Sequence, residues 1–211
     1  MTLAFDKFSE ALRQLPLVAI LRGLAPAEAP EVGDAIVEAG FRLLEVPLNS
    51  PQPLESIALL KKKFPQAVVG AGTVLKVQDV RDVASAGGEL IVAPNFNRDV
   101  VVETVKLGLV SLPGILTPTE AFAALDAGAH GLKLFPSEIA SPAVVKAMLA
   151  VLPKGAPIVP VGGIGADNMK PWRDAGAAGF GLGSSLYKPG DDAAAVRVKA
   201  AAILAAWRAL T

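Results

Sequence analysis

Apolar residues occur along the chain in short continuous runs, separated by longer segments with helical periodicity. The run Leu17-Val18-Ala19-Ile20-Leu21 is typical of a strand that is buried on both faces. The segment that follows, residues 25–39, has Pro26 near its first turn and Gly40 at its end, as helices commonly do. This alternation of buried strand and helix recurs about eight times, at a spacing of roughly 25 residues.

The same pattern gives bounds for each predicted element. The predicted strands are residues 17–21, 41–47, 67–71, 90–94, 109–112, 130–135, 158–161 and 178–182. The predicted helices are residues 5–14, 25–39, 51–64, 77–86, 97–107, 117–127, 141–152, 166–175 and 192–210. Ser50 and Asn97 are predicted N-caps, and Thr117 with Glu120 is a predicted capping box.

Eight strand–helix units predict a (β/α)8 (TIM) barrel, with residues 5–14 as a short extra N-terminal helix. No linker interrupts the pattern, so residues 1–211 are predicted to form a single domain. The structural alternative is a doubly wound open sheet, which often has a Gly-x-Gly-x-x-Gly turn after its first strand. Arg-Gly-Leu-Ala-Pro at residues 22–26 does not match that turn, which favours the barrel.

The amino-acid composition narrows the kinds of function that the protein can have. Lys plus Arg is 20 and Asp plus Glu is 20, so the net charge of zero gives no support for a nucleic-acid partner. The absence of cysteine excludes disulfides, thiolate metal sites and a Cys nucleophile, and the single His130 excludes a His-rich metal site. No apolar run approaches the roughly 20 residues of a membrane span. The N-terminus lacks a signal-peptide layout, so a cytoplasmic soluble enzyme or binding protein is expected.

Polar residues lie at the C-terminal ends of otherwise apolar strands, where barrel enzymes carry their catalytic groups. A buried lysine loses its proton easily, and a neutral amine is a nucleophile toward ketones. Lys133 is therefore a candidate Schiff-base nucleophile, although a lysine at a strand end can also keep its ammonium in water. The polar or loop-forming residues at these strand ends are Arg22, Glu45, Thr73, Pro94, Lys133, Gly162, Gly163, Gly183 and Ser184.

Glu45 lies inside the second predicted strand, where a charged side chain is unexpected. It is a candidate general base whose pKa would be raised by an apolar site. It can equally be the ion-pair partner of Lys133, and the two roles are compatible. His130 lies at the opposite end of its strand from Lys133 and is expected to be structural or exposed.

The glycines after the last two strands, Gly162-Gly163 and Gly183 with Ser184, match the usual barrel phosphate site. Glycine lets backbone N–H groups approach an anion closely, although tight turns also favour glycine. Arg22 could clamp a carboxylate or phosphate, or form a rim salt bridge of little value. Thr73 could donate to a carboxylate or simply cap the next helix.

Several motifs resemble one family, the 2-keto-3-deoxy-6-phosphogluconate/phosphogalactonate aldolases. They appear in the family's order over nearly the whole chain. The resemblance implies a class I aldolase on a (β/α)8 barrel, a homotrimer, with no metal and no cofactor. The motifs are Leu-Leu-Glu-Val-Pro-Leu-Asn-Ser-Pro (43–51), Gly-Ala-Gly-Thr-Val-Leu (70–75), Pro-Gly-Ile-Leu-Thr-Pro-Thr-Glu (113–120), Leu-Lys-Leu-Phe-Pro (132–136), Val-Gly-Gly-Ile (161–164) and Gly-Leu-Gly-Ser (181–184).

The resemblance also implies roles for single residues. The Schiff-base lysine of the family corresponds to Lys133, its general acid/base to Glu45, and its carboxylate-binding threonine to Thr73. Phe135 and Pro94 would form the wall of the pocket and keep Lys133 desolvated. The family's phosphate loops correspond to Gly162, Gly163, Gly183 and Ser184.

Two positions depart from the phosphogluconate branch of the family and resemble the phosphogalactonate branch. Asn49 stands where the first branch commonly has a substrate-binding arginine, and Val161 where it commonly has threonine. Arg22 would then supply the cationic contact. The expected substrate is the phosphorylated galactonate acid, with pyruvate and glyceraldehyde 3-phosphate as products.

Three alternatives remain open from the sequence. The enzyme could act on the C4 epimer in the gluconate series, or on both epimers. It could also be another phosphate-binding barrel enzyme, such as an isomerase or epimerase, in which Lys133 is only an electrostatic contact. A barrel that binds phosphosugars without catalysis is the third alternative.

Overall fold

The computed structural model describes residues 3–210 and is an α/β fold in which helices alternate with parallel strands. The helices are α1 (Leu3–Gln14), α2 (Ala29–Glu38), α3 (Pro53–Lys63), α4 (Val77–Ser85), α5 (Arg98–Lys106), α6 (Pro118–Asp126), α7 (Pro142–Leu149), α8 (Met169–Asp174) and α9 (Ala193–Arg208). The strands are β1 (Leu17–Ile20), β2 (Leu43–Pro47), β3 (Val68–Gly72), β4 (Leu90–Val92), β5 (Val110–Leu112), β6 (Gly114–Ile115), β7 (Leu132–Leu134), β8 (Ile158–Pro160) and β9 (Phe180–Leu182). A 3₁₀ turn that the pattern did not predict, Ser137–Ile139, precedes α7.

The strands form two groups, and within each group strands that are neighbours in the chain pair in parallel, so that the sheet curls. One group has the order β5-β4-β3-β2-β1-β9 and the other the order β6-β7-β8. The first strand pairs with β2 on one side and with the last strand, β9, on the other. A doubly wound sheet would instead reverse its strand order around β1, so that alternative is wrong.

The predicted strand 109–112 is found as β5 and ends before Pro113, as expected, but a short strand that the pattern did not predict, β6, follows Pro113. The strand β5 pairs with β4, whereas β6 pairs with β7. Pro113 has no N–H to donate, and its carbonyl accepts from the Lys133 N–H at 2.9 Å. At the other junction between the groups, a single parallel bridge joins Val161 to Gly181.

The predicted helix starts are partly wrong. Three helices begin two to four residues later than predicted, at Ala29, Pro53 and Met169. Ser50 does not cap α3, because its hydroxyl accepts from the Gly23 N–H at 2.9 Å and Gln52 takes a left-handed conformation (φ 42°) before the helix. The side chain of Ser50 is thus used to join two loops.

Two predicted caps are confirmed. The Asn97 Oδ1 accepts from the Asp99 N–H at 3.0 Å at the start of α5. At the start of α6, the Thr117 hydroxyl accepts from the Glu120 N–H at 3.3 Å, and the Glu120 carboxylate accepts from the Thr117 N–H at 2.8 Å. These local hydrogen bonds depend only on residues near one another in the sequence, which is why the pattern predicts them.

The interior of the curled sheet is filled in layers. Near the amino ends of the strands, Val18 and Leu43 pack in an apolar cluster that Phe8 of α1 also joins. Alternate residues of a strand share one face, so Ile20 and Glu45 occupy the next positions toward the carboxyl ends, paired in register. The helices pack on the outside of the strands around a second, larger apolar core. Within residues 3–210, no helix is both long and apolar enough to cross a membrane.

Candidate active site

Glu45 of β2 and Lys133 of β7 meet inside the curled sheet. Their residues are 1% and 5% exposed, and both line one small cavity. Apart from these two, the walls of that cavity are apolar or glycine: Val18, Ile20, Val92, Leu112, Val159, Val161 and Gly181. The structure therefore brings together two ionisable groups that lie 88 positions apart in the sequence.

The Glu45 carboxyl group is held in an environment that disfavours its charge. Burial raises its pKa to about 7, against the opposing influence of the positive charges on Lys133 and Arg22. Its Oε2 has no hydrogen-bond partner among the described residues. A Cβ atom at position 72 would overlap this carboxyl group, so Gly72 leaves the room that Glu45 occupies. A carboxyl group with a pKa near 7 can both accept and return a proton at neutral pH.

Burial also disfavours the charged form of Lys133. It lowers the pKa of the amine, and the positive charge of Arg22 acts in the same direction while Glu45 opposes it. No ion pair joins Lys133 to Glu45 within residues 3–210, so the buried ion pair that the sequence allowed is not found. The Nζ atom lies 4.7 Å from the centre of the Phe135 ring. Burial thus shifts Lys133 toward its neutral, nucleophilic form.

A larger cavity of about 480 Å³ opens beside the small one. The two cavities share Ile20, Val161 and Gly181 as common wall, and Phe135, next to the Lys133 amine, lines the larger one. The predicted residues Arg22, Gly162, Gly163, Gly183 and Ser184 also line the larger cavity. A ligand in the larger cavity would therefore lie next to Lys133 and Glu45.

The backbone requires glycine in one of the two glycine loops of the larger cavity and not in the other. Gly162 and Gly163 have left-handed backbones (φ 105° and 65°) that other residues adopt only with strain. Gly183 has no such φ, and a Cβ atom there would meet no atom within 4 Å. The fold itself does not require glycine at position 183, so the open space beside it is available to a ligand.

Arg22 extends from the end of β1 to the larger cavity. Its Nη1 donates to the Asn49 Oδ1 at 2.7 Å, so the side chain at position 49 orients the guanidinium. Asn49 follows β2, and the neighbouring Ser50 binds the Gly23 N–H. Asn49, which stands where the gluconate branch commonly has a substrate-binding arginine, therefore contacts Arg22. Arg22 is the residue that we expect to replace that arginine.

Thr73 and Pro94 lie beyond the ends of β3 and β4, but neither lines the two cavities formed by the described residues. Thr73 has a left-handed backbone (φ 58°), which is costly for a β-branched residue. Strained residues of this kind concentrate at functional sites. The carbonyl group of Pro94 packs against Gly114, and a Cβ atom on Gly114 would overlap that carbonyl. Their roles as substrate contacts stay predictions.

His130 lies at the amino end of β7, away from Lys133. Its Nδ1 accepts from the Ser111 N–H at 3.1 Å, and its ring lies 5.0 Å from that of Phe5. Burial lowers the pKa of the imidazole. These contacts support the structural role that the sequence predicts.

Strand-end reasoning missed several residues of the larger cavity. Glu138 comes from the 3₁₀ turn after β7 and lies against Gly162 and Gly163. Asn168 holds the glycine loop, accepting from the Gly165 N–H at 2.9 Å and donating to the Gly163 carbonyl at 2.7 Å. Asp167, Ser185 and Lys188 line the same cavity. All these residues are in loops or at helix starts, where the sequence pattern does not indicate which way a side chain points.

Comparison with known proteins gives consistent matches over nearly the whole chain. The sequence model of the family described as "Aldolase: KDPG and KHG aldolase" matches residues 8–198. A protein of Rhizobium meliloti (strain 1021), named "Probable 2-dehydro-3-deoxy-6-phosphogalactonate aldolase", is 47% identical over 92% of this chain and 92% of its own length. The "2-dehydro-3-deoxy-6-phosphogalactonate aldolase" of Escherichia coli (strain K12) is 46% identical over 92% of this chain and 96% of its own.

The fold is shared with a solved structure named "Native KDPGal structure". It superposes with a TM-score of 0.92 at 45% sequence identity, covering 93% of this chain and 96% of that one. The family match over residues 8–198 includes the strands that carry Glu45 and Lys133 and both glycine loops.

Proposed function

The chain belongs to the KDPG and KHG aldolase family of lyases, and from this premise we propose that it cleaves 2-dehydro-3-deoxy-6-phosphogalactonate reversibly to pyruvate and D-glyceraldehyde 3-phosphate. One observation carries the proposal: Lys133 and Glu45 line one small, apolar cavity beside a larger cavity with glycine loops. The amine would act as the nucleophile of a class I aldolase, and the carboxyl group as its acid and base.

The reaction begins with attack of the neutral Lys133 amine on the C2 ketone of the substrate. Protonation of the resulting carbinolamine hydroxyl lets it leave as water and gives an iminium ion, which is an electron sink. Burial of Lys133 favours this step, because it lowers the pKa of the amine and increases the nucleophilic fraction.

Carbon–carbon cleavage then requires a base. Glu45 accepts the C4 hydroxyl proton, directly or through a water molecule, and the C3–C4 electron pair moves into the iminium to give an enamine. Glyceraldehyde 3-phosphate leaves. The protonated Glu45 then returns the proton to C3, and hydrolysis of the pyruvate imine regenerates Lys133. A carboxyl pKa of about 7 suits a group that must both take and return a proton.

The remaining contacts would orient the substrate. We assign the phosphate to Gly162, Gly163, Gly183 and Ser184, which line the larger cavity. The resemblance assigns the substrate carboxylate to Thr73, and Pro94 with Phe135 to the wall around the amine. The strained backbone of Thr73 supports a functional role.

Preference for the galactonate epimer would come from position 161 and its surroundings. Val161 lines both cavities and has no hydroxyl to offer the C4 oxygen. Arg22, oriented by Asn49, supplies the cation. The two relatives with the highest identity reported above carry the galactonate name, which supports this choice over the gluconate series.

The test of the chemistry is trapping of the imine. Borohydride with pyruvate should leave a pyruvate-derived adduct on Lys133 of the wild type and none in Lys133→Met. Lys146→Met, on α7, removes a lysine outside both cavities and is the matched control. Cleavage by Lys133→Met at the wild-type rate, or dependence of the wild type on a divalent metal, would overturn the mechanism.

Comparison of the two C4 epimers by pyruvate release tests the substrate. We expect a higher kcat/KM for the galactonate epimer, and a shift toward the gluconate epimer in Val161→Thr. Equal rates on both epimers would indicate a dual-specificity enzyme. Substrate binding without pyruvate release would indicate a phosphosugar-binding barrel, and turnover without an imine would indicate an isomerase or epimerase.

We also propose that the two strand groups close into a (β/α)8 barrel, that residues 1–211 are its single domain, and that the protein is a cytoplasmic homotrimer. Barrel closure is supported by the Val161–Gly181 bridge and by the continuity of β5 with β6 through Pro113. The trimer rests on the family resemblance and on apolar side chains that α5 and α6 expose.

A further inference from the structure

Lys188 stands on the loop after β9 that also carries Gly183 and Ser184, and it lines the larger cavity with them. The residue is exposed, and its ammonium forms no ion pair within the part of the chain that the structure describes. An uncommitted ammonium at the border of a cavity is available to an anionic ligand.

The backbone on either side of Lys188 is anchored. Tyr187 is 2% exposed; its N–H donates to the Gly183 carbonyl at 2.9 Å and its hydroxyl donates to the Glu28 Oε2 at 3.4 Å. The ring of Pro189 lies against Gly23, so that a Cβ on Gly23 would be 2.5 Å from the Pro189 Cγ. The Lys188 side chain therefore starts from a fixed position next to the Arg22 loop.

The acidic group nearest in the chain is already engaged. The Asp191 carboxylate accepts from the Lys188 backbone N–H at 2.7 Å and forms an ion pair with Lys199. These bonds, chiefly that to Lys199, lower the pKa of the Asp191 carboxyl group. The charge of Lys188 lowers this pKa too, but it is the smallest of the causes and no ion pair joins the two side chains within residues 3–210, so the ammonium is free to contact a ligand.

The charges around the larger cavity require a second cation if the ligand is a phosphate dianion. The cavity has two carboxylates, Glu138 and Asp167, and besides Lys188 its only other cationic residue within residues 3–210 is Arg22. The guanidinium of Arg22 is already shared with Asn49. Without Lys188, a dianion would meet a cavity with one positive and two negative side chains.

We infer that the Lys188 ammonium binds the phosphate group of the substrate and selects phosphorylated over unphosphorylated sugar acids. The inference rests on the proposed function and adds a residue to its binding site. Lysine acts on phosphate as a mobile point charge, which complements the directed backbone N–H groups of the glycine loops.

The experiment compares Lys188→Met and Lys188→Arg with the wild type on the phosphorylated substrate and on its unphosphorylated analogue. We expect Lys188→Met to raise KM for the phosphorylated substrate roughly tenfold, the size of one charge-assisted hydrogen bond, with kcat little changed. KM for the unphosphorylated analogue should not move, and Lys188→Arg should retain most of the binding. Lys170→Met, which removes a lysine paired with Asp174 on α8, is the control.

Direct binding of inorganic phosphate, measured by calorimetry, separates this inference from the proposed function. If the wild type binds phosphate more tightly than Lys188→Met but cleaves no substrate, the inference stands and the aldolase proposal fails. If the wild type cleaves the substrate and Lys188→Met has the same KM and the same phosphate affinity, the inference is overturned and the aldolase proposal stands.

Discussion

Glu45 and Lys133 are opposite in charge when ionised, yet burial moves both toward their neutral forms. Desolvation is the largest influence on each pKa, exceeding the mutual attraction of the two groups. Two charges in an apolar cavity would need close pairing and further hydrogen bonds, and the Glu45 Oε2 has none among the described residues. The lowered pKa of the amine and the raised pKa of the carboxyl group are thus consequences of the same cavity.

Glu45→Gln tests the proton transfer. We expect imine formation to persist, while cleavage slows by roughly 10²-fold or more, the size of a general acid–base effect. In the wild type, the cleavage rate should rise as the pH passes through about 7, because the base form of Glu45 is required. Single-turnover rates from pH 5.5 to 8.5 check this. A Gln variant that retains the wild-type profile would contradict the assignment.

The same substitution should change the pH dependence of stability. The pKa of Glu45 is raised from 4.5 to about 7 in the folded state, so the folded protein keeps a proton that the unfolded chain releases. Its contribution is therefore full below pH 4.5 and is lost as the pH rises toward 7, by about 3 kcal/mol at most. Denaturant unfolding should show Glu45→Gln gaining stability relative to the wild type over this range. Glu31→Gln, at an exposed position of α2, should show no such gain.

Substitutions at two glycines distinguish ligand space from backbone strain. Gly183→Ala should leave stability within about 0.5 kcal/mol of the wild type, since the added Cβ meets no protein atom, but should weaken phosphate binding. Gly162→Ala should lose about 1–3 kcal/mol of stability because its φ is 105°. Thermal unfolding and phosphate titration of both variants provide the measurements. Unchanged phosphate binding in Gly183→Ala would contradict its place in the site.

At the scale of elements, the alternation of side chains along a strand places the functional groups. Ile20 and Glu45 are paired in register, and both point into the interior one step beyond the apolar layer that contains Val18 and Leu43. Moving the register of β2 by one residue would turn Glu45 out toward the helices. The depth of Glu45 inside the sheet is therefore set by strand pairing.

The capping box of α6 offers a test at this scale. Hydrogen bonds from the Leu116 N–H first, and from Thr117, lower the pKa of the Glu120 carboxyl group. Its stabilising contribution is present above the usual pKa of 4.5 and is lost as the pH falls through the lowered value. Glu120→Ala should cost about 1 kcal/mol at pH 7 and less near pH 3. Thr119→Ala, an exposed neighbour, should be nearly neutral in the same denaturant titrations.

At the scale of the molecule, exposed apolar side chains on α5 and α6 predict self-association. Val102 is 43% and Phe122 is 40% exposed, and the two helices pack side by side. Light scattering should give three times the mass of the single chain, and Val102→Glu with Phe122→Glu should reduce it. Val198→Glu, at an exposed position of α9, should leave the mass unchanged. A monomer at micromolar concentration in the wild type would contradict the proposed trimer.

Most of the α/β architecture follows from local patterns. Continuous apolar runs predict the strands, and capping residues such as Asn97 and Thr117 predict helix starts. The sequence alone also places Glu45 and Lys133 in strands, where a charged residue is anomalous. These conclusions depend on residues only a few positions apart, which is the range over which periodicity and capping act.

Only the tertiary structure decided which of these groups meet and in what state. It added the short strand β6 after Pro113, left Glu45 and Lys133 without an ion pair in one cavity, and placed Lys188 beside the glycine loops. It also gave Thr73 its left-handed backbone. Each of these features depends on packing between segments far apart in the chain, and desolvation, which sets both pKa shifts, is a property of that packing.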